Sequence, residues 1–463
     1  MAAKIELFGK RKFKNRFLLF KLKSNGVRAQ QQRLSLPFAF CNFAFLLMPN
    51  ISERGLSAHS SPIRKLAASA ERAKKAGKKV YHLNIGQPDI LTPKVALDAV
   101  RNASIDILAY SPSNGIASYR EKLPAYYRKF DIDIQPDEIM VTSGASEGVW
   151  FTLLACLNPG ESVLSPEPLY ANYLGFAGMA DVQVKPITTR IETGFALPDI
   201  SAFHAAITPD VKAIMLCNPN NPTGALYSEA TLRALGEIVL EHDLYFIVDE
   251  VYREFCYSDD AHFFSALNLP GLEEHVVVLD SVSKRYSACG ARIGAIITRN
   301  EGLRTAIQKY AETRLSPPTF GQIFAEATLQ TEDVYFDTVT VEYRKRRDLL
   351  YSRLHAMPGV KCYLPEGAFY VFAELPIDDA DRFCRWLLED FSYNNQTIML
   401  APGAGFYATP GMGQREVRFA YVLNTTDLNA AMDCLENALL EYRRQMESDT
   451  TSALDTEVAS LAH

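Results

Sequence analysis

Six short apolar runs, at residues 139–142, 162–165, 212–217, 244–248, 275–279 and 293–297, alternate with longer stretches of helical periodicity. None of them alternates apolar with polar residues, as a strand wetted on one face would. Strands of this kind are expected to be covered on both faces, in a parallel sheet between layers of helices. The pattern therefore predicts an α/β fold, with a large domain over 95–330 whose mostly parallel sheet is sandwiched by helices. In open α/β sheets ligands bind beyond the carboxyl ends of the strands, so chemistry is expected in the residues that follow each run.

From about Glu332 the pattern changes to a charged helix over 335–355, a strand at 369–372 and further helices. This predicts a smaller α+β domain over 331–446. The segment 60–77, with Ile63, Leu66, Ala67 and Ala70 at helical spacing, is expected to dock onto it, so that 48–94 forms an arm and part of that domain. The two ends read differently. Residues 1–33 are rich in Lys and Arg with Glu6 as the only acid, and an apolar stretch runs from Leu34 to Met48. A targeting segment, a membrane-surface segment and a plain extension all fit that order. Pro37 interrupts the apolar stretch, which is too short to span a bilayer, and the favoured reading is an extension over 1–47 outside the fold. Residues 447–463 are small, polar and weakly acidic, the composition of a disordered tail.

A chain of 463 residues with 48% hydrophobic content can bury a large core. Its formal net charge of -6 gives no basic field for nucleic acid, and small-molecule chemistry fits better. The eight cysteines are scattered without a C-x-x-C pair or neighbouring His ligands, so they signal neither a disulfide framework nor a metal site. A reducing, cytoplasmic location without membrane attachment is the expectation.

Four clusters follow the apolar runs. After Val141 come Thr142, Ser143, Gly144, Ala145 and Ser146 at a helix start, where backbone N–H groups suit a phosphate; a plain strand-to-helix turn would use the same residues. After Cys217 comes a rigid turn containing Asn221, either a ligand-facing amide or a turn asparagine. Asp249 ends another run, with Tyr252 beyond it. A carboxylate there needs a cationic partner or hydrogen bonds, and a structural salt bridge would also serve. After Leu279 come Ser281, Ser283 and Lys284, then Arg292. Burial can lower a lysine's pKa and make it nucleophilic toward aldehydes, while hydroxyls and a guanidinium can hold phosphate.

Three motifs are the most specific: N-P-T-G at 221–224, D-x-x-Y at 249–252, and S-x-S-K ending at Lys284 with Arg292 eight residues beyond. In order and separation they resemble the class I and II aminotransferases of the fold-type I pyridoxal-phosphate family, over about 63–440. The resemblance implies pyridoxal 5'-phosphate held as a Schiff base on Lys284, which also shuttles the substrate proton. It implies that Asp249 pairs with the pyridinium nitrogen and that Asn221 and Tyr252 hydrogen-bond the phenolic oxygen. Gly144, Ala145, Ser146, Ser281, Ser283 and Arg292 would grip the phosphate, and Tyr170 would stack on the ring. Tyr110 would reach a phosphate in a partner subunit, implying a homodimer. Arg418 would bind the substrate α-carboxylate, with Asn221 and the close-approaching backbone of Gly86 beside it. The implied reaction is ping-pong transfer between an L-amino acid, aspartate-like first, and a 2-oxo acid such as 2-oxoglutarate. A lyase or decarboxylase on the same scaffold, and a cofactor-sensing DNA-binding regulator, are the alternatives.

Overall fold

The computed structural model describes residues 49–59, 61–257 and 263–461, with 448–461 as backbone only. The extension expected over 1–47 lies outside the described residues. Residues Glu53–His463 form one compact unit. Among the described residues no helix is long and apolar enough to cross a membrane.

At its centre is a seven-stranded sheet of β1 (Ile139–Thr142), β2 (Ser162–Glu167), β3 (Gln183–Thr188), β4 (Val211–Cys217), β5 (Tyr245–Asp249), β6 (Val276–Ser281) and β7 (Gly294–Ile297). Their spatial order is β1-β7-β6-β5-β4-β2-β3. Every pairing is parallel except those of β7, which runs against both β1 and β6. The reason the strands lack polar alternation is visible in β4: Ala213, Met215 and Cys217 face one apolar core, and Ile214 and Leu216 face another. A strand between two cores has no wet side. β3 was not among the six runs. It is an edge strand, and its Lys185 and Pro186 are tolerated because only one side is paired.

A four-stranded antiparallel sheet orders Ala401–Pro402, Glu416–Ala420, Tyr370–Glu374 and Lys361–Cys362. The charged helix expected over 335–355 spans Asp333–Ala356. Helix Ala67–Lys75 buries Ala70 and Ala73 and docks on helix Ala380–Glu389, where Ser69 Oγ and Arg72 Nη2 donate to Glu389 Oε1 at 2.7 and 2.6 Å. Residues 447–461 continue the last helix, Thr425–Leu461, and the sequence there contains no Gly or Pro to break it.

Candidate active site

The carboxyl ends of the parallel strands open onto a cavity of about 470 Å³. β4 leads to Asn221, β5 ends in Asp249 with Tyr252 one turn on, and β6 leads through Ser281 and Ser283 to Lys284, all lining it. Because β7 runs the opposite way, its start lies at this same rim, with Ser281 paired to Gly294, and that brings Arg292 into the lining. Helix Ala145–Cys156 points its first turn, Ala145 and Ser146, into the cavity. Tyr170 comes from beyond β2, Gly86 from the segment after strand Lys79–His82, and Arg418 from the second sheet. Gly144 sits immediately behind the lining at φ +81°, where a Cβ would collide with the Arg292 guanidinium. Of the residues expected from sequence, Tyr110 alone stands apart, 78% exposed and outside the cavity.

Three charges define the interior. Asp249 is buried and accepts hydrogen bonds from Tyr173 Oη at 2.7 Å and the Val251 N–H at 3.3 Å. The structural salt bridge weighed for it is absent: among the described residues no cation pairs with it. Burial without a paired cation pushes its pKa up to about 6, so the carboxylate form is costly here. Lys284 Nζ donates to the Gly86 carbonyl at 2.8 Å, and burial lowers its pKa. Arg418, 1% exposed, donates from Nη1 to Asn221 Oδ1 at 2.8 Å and from Nη2 to the Asn84 carbonyl at 2.6 Å, while its Nε has no partner. Tyr370 and Phe406 stack on its guanidinium, 4.5 and 5.0 Å from ring centroid to Cζ. Among the described residues no carboxylate neutralises it.

The rim by Gly144 is built to take an anion. N–H groups of a 12-residue helix open there, beside the positive end of its dipole. Ser281 Oγ lies 2.8 Å from both Ser283 Oγ and the Ile293 carbonyl, and it caps the next short helix by accepting from the Ser283 N–H. Arg292 rests on two carbonyls, those of Cys289 and Ser143, each at 3.2 Å, so its charge is anchored but not cancelled among the described residues.

The family model described as Aminotransferase class I and II matches residues 78–434. The chain belongs to the class I and II aminotransferases. An aspartate aminotransferase of Pyrococcus horikoshii is 31% identical over 395 residues, which cover 84% of this chain and 97% of that protein. The solved aspartate aminotransferase from Thermus thermophilus with maleate matches at a TM-score of 0.76 and 29% identity, covering 84% of this chain and 100% of that one. The alanine aminotransferase from Pyrococcus furiosus does so at 0.77 and 30%, covering 85% and 100%. This aminotransferase is thus a fold-type I enzyme that uses pyridoxal 5'-phosphate. The cavity fits that cofactor: an anion cradle for its phosphate, a buried acid with no paired cation among the described residues for its ring nitrogen, and the half-buried Lys284 amine for its aldehyde.

Several lining or bracing residues escaped the sequence reasoning, four of them charged, polar or aromatic groups close to the expected chemistry. Tyr173 braces Asp249, and the Tyr370 hydroxyl lies 2.8 Å from that of Tyr252. Arg64 and Cys289 line the cavity. Tyr370 lies within an expected strand, but nothing in the one-dimensional pattern says which tyrosine of an apolar strand meets a second sheet. Tyr173 and Arg64 carry no local motif at all.

Proposed function

We propose that this aminotransferase moves the amino group of an aspartate-like L-amino acid to a 2-oxo acid such as 2-oxoglutarate, in two half-reactions at one site. The observation that carries this is Arg418, a buried guanidinium with no carboxylate partner among the described residues, at a cavity that also holds the half-buried Lys284. Its planar fork suits the carboxylate that amino and oxo acids share.

When bound, pyridoxal 5'-phosphate supplies an aldehyde to accept the amino group and a cationic ring that withdraws electrons from Cα. Ala145, Ser146, Ser281, Ser283 and Arg292, with the Gly144 backbone, would hold the phosphate. Asp249 would hold a proton at the ring nitrogen, and that added cation favours its carboxylate form. Asn221 and Tyr252 would orient the phenolic oxygen, and Tyr170 would pack on the ring. Lys284 serves as the covalent anchor and then as the base that removes and returns the Cα proton; its lowered pKa favours the neutral amine this needs. Gly86 lets the chain approach the α-carboxylate, since a Cβ there would strike the Tyr370 hydroxyl.

An acidic side chain is favoured by Arg64. It is exposed in the cavity lining, and among the described residues no hydrogen bond or ion pair engages its guanidinium. Among the described residues Asp249 is the only acid in the lining, so a second substrate carboxylate meets attraction at Arg64 and little repulsion. The relatives' names include both aspartate and alanine aminotransferases. The division into a large domain over 95–330 and a small one over 331–446, a homodimer, and a cytoplasmic location belong to the same proposal. The dimer is supported by the apolar exposure of Ile107, Leu108 and Tyr110 at 82, 59 and 78%.

The test is a donor panel with holoenzyme, read as conversion of the bound aldehyde to its amine form by absorbance. Aspartate and glutamate are expected to react, and Arg64→Ala is expected to lower kcat/KM for them by roughly 10-fold or more relative to alanine. Borohydride reduction should leave a pyridoxyl label on Lys284. Failure of every donor would overturn the reading; a panel led by neutral donors would overturn only the acidic preference.

A further inference from the structure

We propose that His204, Glu241 and His242 form a surface site for one first-row divalent cation of the zinc type. His204 lies on helix Ile200–Ala206, Glu241 ends helix Glu229–Glu241, and His242 is that helix's C-cap residue. Each can offer one ligand atom such that all three atoms lie within 4.8 Å of one another. His204 Nδ1 and His242 Nε2 are 3.1 Å apart in a hydrogen bond, while Glu241 Oε2 lies 4.0 Å from the other His204 nitrogen, Nε2. Zinc–nitrogen bonds of about 2.0–2.1 Å in tetrahedral geometry separate neighbouring ligands by roughly 3.3 Å. The two imidazole nitrogens stand at a similar separation but face each other in a hydrogen bond, so one ring must rotate for both lone pairs to meet a single ion. Glu241, whose side chain is exposed and can change rotamer, would supply the third ligand.

Two further features favour a cation here. The negative end of the dipole of a 13-residue helix lies beside His242. Both helices are fixed from beneath, by buried Phe203 on one and buried Leu235 and Val239 on the other, so little order is lost when a metal binds. Two imidazoles and a carboxylate suit zinc, cobalt, nickel or copper, whereas magnesium prefers oxygen ligands alone. The helices lead into β4 and β5 at their amino ends, the sheet edge opposite the cavity. The site therefore ties together the helices that precede the strands leading to Asn221 and Asp249, and it acts on stability rather than on chemistry.

The experiment is calorimetric titration of chelator-treated holoenzyme with Zn²⁺ and, separately, Mg²⁺, together with thermal unfolding with and without Zn²⁺. One equivalent of Zn²⁺ is expected to bind and to raise Tm, with no response to Mg²⁺. His204→Ala and His242→Ala should each weaken binding by more than the roughly 10–100-fold typical of changes behind a ligand, and should abolish the Tm shift. Both variants should keep parental far-ultraviolet circular dichroism and parental kcat. Absence of a Zn²⁺ equivalent in the parent protein, or binding and a Tm shift that persist in the double variant, would overturn the proposal.

Discussion

Asp249 shows how one residue links fold stability to cofactor binding. Burial raises its pKa from 3.8 to about 6, so the folded cofactor-free protein holds this proton more tightly than the unfolded chain does. The resulting stabilisation is complete below the unfolded value and is lost as pH rises through about 6. Beyond that, ionised Asp249 costs up to about 3 kcal/mol. Asp249→Asn is therefore expected to stabilise the cofactor-free protein at pH 8 relative to the parent, with little difference at pH 4, while weakening cofactor retention. Denaturant melts at both pH values check this, and a mutant–parent difference independent of pH would refute it. Arg418 is the second residue whose surroundings define its task. A lysine cannot meet Asn221, Asn84 and the two stacked rings at once. Arg418→Lys is expected to raise KM for the amino acid and the oxo acid alike and to lower kcat/KM by about 100-fold, near 2.7 kcal/mol. Steady-state kinetics with each substrate varied in turn reads this directly.

At the level of elements, the anion cradle depends on how β1 passes into helix Ala145–Cys156. Gly144 makes the turn at φ +81°, ψ 164°, a conformation open to glycine and costly for other residues. Gly144→Ala adds backbone strain of about 1–3 kcal/mol and forces the Arg292 guanidinium to move. Cofactor affinity is expected to fall roughly 10-fold or more, with a lower Tm, measured by absorbance titration and thermal melts. The reversed direction of β7 matters equally, because a parallel strand there would have carried Arg292 to the far edge of the sheet. Six apolar runs were enough to anticipate six of the seven central strands. β3 escaped because an edge strand keeps polar residues and a proline that resemble a loop.

For the whole molecule, the exposed apolar segment around Ile107 and Tyr110 is the feature that a single chain leaves unexplained. A second copy covering it would bring Tyr110 toward a neighbouring cavity, as the sequence resemblance implies. Light scattering at micromolar concentration is expected to give twice the 51.7 kDa chain mass. Tyr110→Phe is expected to weaken cofactor binding while leaving that mass unchanged. A monomer with full activity would remove both the dimer and the role of Tyr110.

The sequence alone determined the class of fold and most of the chemistry. Uninterrupted apolar runs can be satisfied only by strands buried on both faces, and the rim position of Asn221, Asp249 and Lys284 follows from the ends of those runs. The motifs around Lys284 then identify the cofactor. Tertiary structure decided what depends on distant segments meeting. Tyr173 reaching Asp249, Tyr370 meeting Tyr252 across two sheets, and Arg64 arriving at the cavity join residues 76, 118 and more than 100 positions apart. Local periodicity reports which face of an element is buried; it holds no information about which other element buries it. The end of the chain shows what local permissiveness allows. Its composition is polar, and it contains no Gly or Pro, so the last helix can continue through 447–461.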